Sequence, residues 1–150
     1  MEESWSRRVL LPFLTPGKPP EASDNAALVL GSQKFPWAVD PLLMGLTNLL
    51  SAGESHVWRL ATALGEIDSP KAIPILIGII EADNSYDTVY GVGYFGLGKL
   101  TGVKYDPEHS GAWWRSWWNK NKQRAPPEVQ ALEIPRLSSV RAAGQSPGGQ

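Results

Sequence analysis

"RLATALGEIDSPKAIPILIGII", residues 59–80, is the stretch on which the fold turns. Val57, Leu60/Ala61, Leu64 and Ile67 recur at three- and four-residue spacing, as do Ile73, Leu76/Ile77 and Ile80. Such a period describes two helices, each with one apolar stripe. Between the stripes, Ser69 places a capping oxygen before Pro70 at a first helical position. Pro74 falls early in the second helix, where it costs one hydrogen bond and a kink rather than the whole helix.

Moving outward, the same design recurs. "AALVLGSQKFPWAVDPLL" (26–43) aligns with "LATALGEIDSPKAIPILI" (60–77) at an offset of 34 residues. Leu30 falls on Leu64, Gly31 on Gly65, Pro36 on Pro70, Ala38 on Ala72 and Leu42 on Leu76. A third copy starts at "YFGLGKL" (94–100), offset by 33, with Leu97-Gly98 on Leu64-Gly65. The apolar stripe of the first copy continues through Leu42/Leu43, Leu46 and Leu49/Leu50, and Asp40-Pro41 repeats the pairing of a cap with a proline. Ser55 and Ser110 are candidate caps for the helices after them. Periods of this length mark helical-repeat architectures, whose units bury their apolar faces only against neighbours.

Residues 59–80 resemble the short bacterial HEAT-like repeat of the phycobilisome-lyase-like type: an Ala-Leu-Gly helix end, a turn with Asp and Pro, then Ala-Ile-Pro and an apolar helix. The first copy has Asp40 where that pattern has Pro, and the third replaces the short turn by "TGVKYDPEHSG" (101–111) and the second helix by a Trp-rich one. The resemblance covers roughly 26–120. It implies an all-α fold, a short right-handed α-solenoid of HEAT-like helix pairs closed by the Trp-rich C-terminal helix. Helices are expected near 26–33, 41–52, 55–67, 70–82, 86–100 and 111–122, with an irregular piece or short helix at 4–14. The expected organisation is an N-terminal segment and Pro-rich loop (1–25), the repeat domain (26–122) and a flexible tail (123–150). The tail is rich in Pro, Gly, Ser and Gln, and its alternative is to lie along the domain through Val129, Leu132 and Ile134.

Such repeats serve mostly as scaffolds, so the resemblance implies a non-catalytic module that binds a protein or peptide without a cofactor. Because second helices of such pairs usually line the concave face, Arg59, Thr62, Glu66, Tyr90 and Lys99 become candidate contacts. The bilin-attaching members of the family imply, as a further alternative, lyase-type accessory chemistry, for which no residue here supplies the groups.

The stretch "GAWWRSWWNKNK" (111–122) holds four of the chain's seven tryptophans. On a helix from Gly111, Trp113/Trp117 and Trp114/Trp118 are i,i+4 pairs on one broad face. Covering the last open face of the repeats is the expected use of that face. Trp113 and Trp117 are expected deeper, with Trp114 and Trp118 nearer the rim and available to a partner alongside Arg115. Arg115, Lys120, Lys122 and Arg124, with no acid from 111 to 124, make the alternative of nucleic-acid binding through this end; a helix C-terminus also favours such cations through its dipole.

Two other motifs suggest chemistry. Gly91-x-Gly93-x-x-Gly96 fits the dinucleotide fingerprint, which requires a preceding buried strand and a following long helix. "SYDTVY" (85–90) is a poor buried strand, and Leu100-Thr101-Gly102 follows the glycines closely, so a repeat helix whose glycines permit close approach is the expected reading. The tyrosines and Phe95 are then expected to fill the space beside the thinned backbone. Asp106, Glu108 and His109 could hold a metal or work as an acid–base pair, but Asp106-Pro107 is also an ordinary turn starter. No metal site and no catalytic residue is expected.

Composition bounds the rest. The chain has 150 residues, 42% of them apolar, which suffices for one core. A net charge of −1 provides no global field toward nucleic acid or anionic membrane. The absence of cysteine excludes disulfides and thiol chemistry. No apolar run approaches the ~20 residues of a membrane span, and the acidic start and Pro12 argue against a signal peptide. A soluble, cytoplasmic protein is the expectation.

Overall fold

The computed structural model describes residues 8–14, 20–51 and 58–137, and every regular element among them is helical. Residues 8–10 are helical and run into a 3-10 turn, Leu11–Leu14. There follow α1 (Pro20–Gln33), α2 (Val39–Ser51), α3 (Trp58–Ile67) and α4 (Ile73–Ala82). The next helix is continuous but changes pitch: α5 (Tyr86–Val92), a π-helical turn (Gly93–Leu97) and α6 (Gly98–Thr101). After a loop come α7 (Gly111–Asn121) and the short α8 (Pro127–Gln130).

The 34-residue register is written into the backbone. Lys34 and Asp68 both take the left-handed conformation, at φ 53° and 60°. Lys34 N donates to Gly31 O at 3.1 Å, and Asp68 N to Gly65 O at 3.2 Å. A 3-10 turn follows each, Pro36–Ala38 and Pro70–Ala72, and runs straight into α2 and α4. A non-glycine residue costs about 1–2 kcal/mol in that conformation, so its recurrence at equivalent positions is one turn used twice.

Packing recurs with it. A Cβ on Gly31 would stand 2.8 Å from Ala63 Cα. Shift both by one repeat and the contact is Gly65 with Gly96: a Cβ on Gly65 would stand 2.5 Å from Phe95 O and 3.2 Å from Gly96 Cα. Helix α1 thus lies on α3, and α3 on the 86–101 segment, through glycine-mediated contact in each case. This is the offsetting gain that glycines inside helices require. Leu30, Leu42, Leu46, Leu60, Leu64, Leu76, Ile77, Ile80 and Leu97 fill one continuous core.

Several element boundaries differ from the expected ones. Helix α1 starts at Pro20, so the segment boundary at 25 falls inside a helix. Helix α2 starts at Val39 because the 3-10 turn leads into it, which leaves Asp40 in the first turn rather than capping it. The Asp40 carboxylate instead accepts from Lys71 Nζ at 2.7 Å. Both side chains are exposed, so the pair contributes about 1 kcal/mol or less. Ser69 makes no side-chain cap; its carbonyl accepts from Ala72 N. Pro74 falls in the first turn of α4, where no helical hydrogen bond is lost. Ser110 does cap α7, accepting from Trp113 N at 3.3 Å. Ser55 lies outside the described residues.

The tail is not loose from residue 123. Val129 is buried, and Ile134 and Leu137 pack against the core while Leu132 faces outward. The chain crosses α4 at Gly78, where a Cβ would stand 2.8 Å from Pro135 O. Scattered apolar residues that cannot form a core of their own suffice here because α4 already presents an apolar face with a glycine gap in it.

Substituting Gly65→Ala sets a methyl against a backbone carbonyl that cannot swing away. The expected loss is about 2 kcal/mol or more, read by chemical denaturation; an unchanged midpoint would mean that α3 and the π-turn do not touch.

Candidate functional site

The Trp helix is settled by how it meets α4. Gly111 rests on Glu81, whose Cα would lie 2.6 Å from a Cβ there. Gly111 N donates to Asn84 Oδ1 at 3.0 Å. Arg115 forks onto Glu81, with Nε to Oε2 at 2.6 Å and the terminal nitrogen to Oε1 at 2.7 Å. Trp114 and Trp118 then fall on the same face and are 1% and 3% exposed, while Trp113 and Trp117 are half-buried. The expected order of depth is therefore reversed. Two stripes one residue apart differ only by the helix's roll about its axis, and contacts with Glu81 and Asn84 set that roll.

Trp114 and Trp118 thus belong to the core and present no platform. Arg115 is committed to Glu81, and that hydrogen bond raises the guanidinium pKa further, against a smaller effect of burial. With the Arg115 side chain 43% exposed, solvent screening holds the pair to about 1 kcal/mol. Lys120, Lys122 and Arg124 stay exposed beyond it.

The loop 102–110 pins two aromatic groups. Gly102 leaves the helix at φ 76°, a left-handed C-terminal cap. Asp106 Oδ1 accepts from Glu108 N at 2.8 Å, the ordinary turn that Asp-Pro starts. His109 stacks on Trp113, centroids 3.5 Å apart and planes 13° apart. Asp106, Glu108 and His109 do not converge, and among the described residues no group of His, Cys, Asp and Glu could hold a metal ion. The glycines at 91, 93 and 96 are helical, with no strand before them among the described residues.

What the loop and the π-turn build together is a tyrosine cluster. The chain has four tyrosines, and all of them meet. Tyr86, Tyr90 and Tyr94 follow at four-residue spacing along one helix face. Their rings lie nearly parallel: Tyr86–Tyr90 at 6.1 Å and 8°, Tyr90–Tyr94 at 5.4 Å and 12°. The π-turn, closed by Gly98 N onto Gly93 O, fits one more residue into its turn. Tyr94 and Phe95 thereby both reach Tyr90, Phe95 edge-on at 5.8 Å. Tyr105 comes from the loop and stands perpendicular to Tyr90 at 5.3 Å, passing over Gly93.

This cluster is open to solvent. Tyr86, Tyr90 and Tyr94 are 69%, 37% and 48% exposed. None of their hydroxyls bonds to another described residue. The Tyr105 hydroxyl differs: it is buried, with no partner among the described residues, and burial, then Tyr86, Tyr90 and Asp106, push its pKa above the usual value near 10. The expectation that the tyrosines of this helix fill space beside its glycine backbone fails for the three-ring ladder; Tyr105, from the loop, lies over Gly93 instead.

Of the five contact positions expected on the repeat helices, Tyr90 is the ladder's centre. Lys99 is exposed on α6, and Arg59, Thr62 and Glu66 are half-buried on α3. The four-residue spacing of Tyr86, Tyr90 and Tyr94 is visible in sequence; the arrival of Tyr105 is not.

No protein-family model, curated protein or solved structure matches the chain. No helix among the described residues is long and apolar enough to cross a membrane.

Two measurements check this geometry. Trp114→Ala is expected to cost about 3–5 kcal/mol, and Trp113→Ala clearly less, by denaturant titration; equal costs would contradict the assigned roll of α7. Because the folded state keeps Tyr105 protonated to higher pH than the unfolded state, stability should hold below pH ~10 and fall as pH rises through the raised pKa. Tyr105→Phe should flatten that alkaline decline; an unaltered slope would mean that the phenol is not shielded.

Proposed function

We propose that the chain is a non-catalytic protein- or peptide-binding module, built as a short right-handed stack of HEAT-like helix pairs closed by the Trp helix. The repeated left-handed turn at Lys34 and Asp68 and the reused glycine contacts of Gly31 and Gly65 support the stack. The observation that carries the binding role is the tyrosine ladder: three stacked, solvent-exposed rings whose hydroxyls bond to no other described residue. Aromatic side chains rigidly held at a surface are the residue class that dominates protein interfaces, since each offers a large apolar area and a polar tip at small entropic cost.

A peptide-display selection against the full chain tests this reading. Selected peptides should lose at least tenfold in affinity for Tyr90→Ala, about 1.4 kcal/mol. A selection that yields no ladder-dependent peptide would overturn it.

A further inference from the structure

Helix α4 is apolar nearly all round. Seven of its ten residues are buried, and Glu81 is the one charged side chain on it. Such a helix needs cover on every side. The α5 helix, the π-turn and α7 supply part of that cover. At Gly78 the cover is the tail instead: the three atoms nearest to an added Cβ all belong to Pro135, with the carbonyl oxygen at 2.8 Å and the ring at 3.2 and 3.3 Å. Ile134 and Leu137, on either side of that crossing, pack against the core.

This covering segment is weakly held. Residues 133–137 make no hydrogen bond and no ion pair with another described residue. Ile134, Pro135 and Leu137 are half-buried, and Glu133 and Arg136 are exposed, so apolar contact alone seats the segment. Segments of that kind open at the lowest free energies in a fold. Nor does the segment fill its groove. A cleft of about 450 Å³ stays open beside it, lined by Glu81 and Ala82 of α4, Arg115 of α7, and Arg136 and Leu137. Ligand-binding clefts run from roughly 300 to 1,000 Å³. The occupant that fits is written in the segment itself. Pro135 keeps Ile134 out of the helical region, and it has no N–H to strand against an apolar helix face. The closest contact at Gly78 is with backbone, which is the kind of approach that a side chain there forbids.

We infer that the α4 face around Gly78 is a docking groove for an extended apolar–Pro–x–apolar segment of a partner protein, and that residues 132–137 are a strap that closes it in the free chain. No residue of the tyrosine ladder takes part. The groove is thus a second surface, which shares with the reading above only that the chain binds peptides.

The test uses the full chain and a fluorescent peptide with the sequence ALEIPRL of residues 131–137. In the unaltered chain the tethered strap competes at an effective concentration on the order of millimolar, so the peptide should bind poorly. The double variant Ile134→Asp/Leu137→Asp releases the strap and should bind the peptide at least about tenfold more tightly. The same peptide with aspartate at both apolar positions should not bind. Adding Gly78→Ala to the released variant should abolish binding without lowering the melting temperature, because a helix prefers alanine to glycine. That separates a filled groove from a lost fold. A released variant that does not bind the peptide at millimolar concentration would overturn the proposal, as would binding that survives Gly78→Ala. If the released variant and the single variant Gly78→Ala are both unfolded by circular dichroism, the segment is core rather than strap and the proposal falls. A concentration-dependent dimer of the unaltered chain in sedimentation, lost on strap release, would mean that copies exchange straps and would overturn the assignment to a partner protein. Ladder-dependent peptides from the display selection should not displace ALEIPRL; displacement would overturn the separate site. Failure of the groove leaves the ladder reading standing, and failure of the ladder leaves the groove.

Discussion

The backbone-to-backbone contact of α3 with the π-turn governs the structure. Gly65 leaves its Cβ position 2.5 Å from Phe95 O, a distance that no side chain allows. That approach seats the 86–101 segment on the repeat before it, with Gly96 held between Leu76 and Ala61. With the inner face of the segment so fixed, Tyr86, Tyr90 and Tyr94 have one direction left, which is solvent. The π-turn sits at the same place. Its glycines tolerate the close approach, and its wider pitch brings Tyr94 and Phe95 onto Tyr90 together.

The two aromatic groups of residues 86–121 have opposite fates for one reason. Both are helical runs with rings at four-residue spacing. The Trp114 and Trp118 indoles face α4, where Gly111 lets the helix come down onto Glu81, and the residues at i+3, i+4 and i+7 from Gly111 are Trp114, Arg115 and Trp118. The tyrosines lie on the face turned away from the neighbour that their helix touches through glycine. The loop between them joins the groups, with Tyr105 crossed on the ladder and His109 laid on Trp113.

Much of the architecture was legible from residues 59–80 and their echoes. Leu30, Leu64 and Leu97 are all fully buried at corresponding positions, as alternating three- and four-residue spacing requires. Ser110 acts as the cap that its position before a helix suggested. The start of α2 was not legible, because a 3-10 turn and a helical turn share proline signals. Nor was the seat of the tail, since Val129, Ile134 and Leu137 show no period and need the Gly78 gap on α4 to receive them.

By itself the sequence determined that the chain is helical, that its units repeat, and that glycines fall where helices meet, because period and backbone permissiveness are local properties. It also set three tyrosines on one helical stripe. Only the tertiary structure decided which stripe of a helix turns inward. That choice is a rotation about the helix axis, made by contacts dozens of residues away: Glu81 with Arg115 for the tryptophans, and Gly65 with Phe95 for the tyrosines. Tyr105 likewise meets the ladder only through the fold, from a loop that crosses Gly93, so the patch that bears the proposed function exists only once the 86–101 segment and the loop after it have closed on each other.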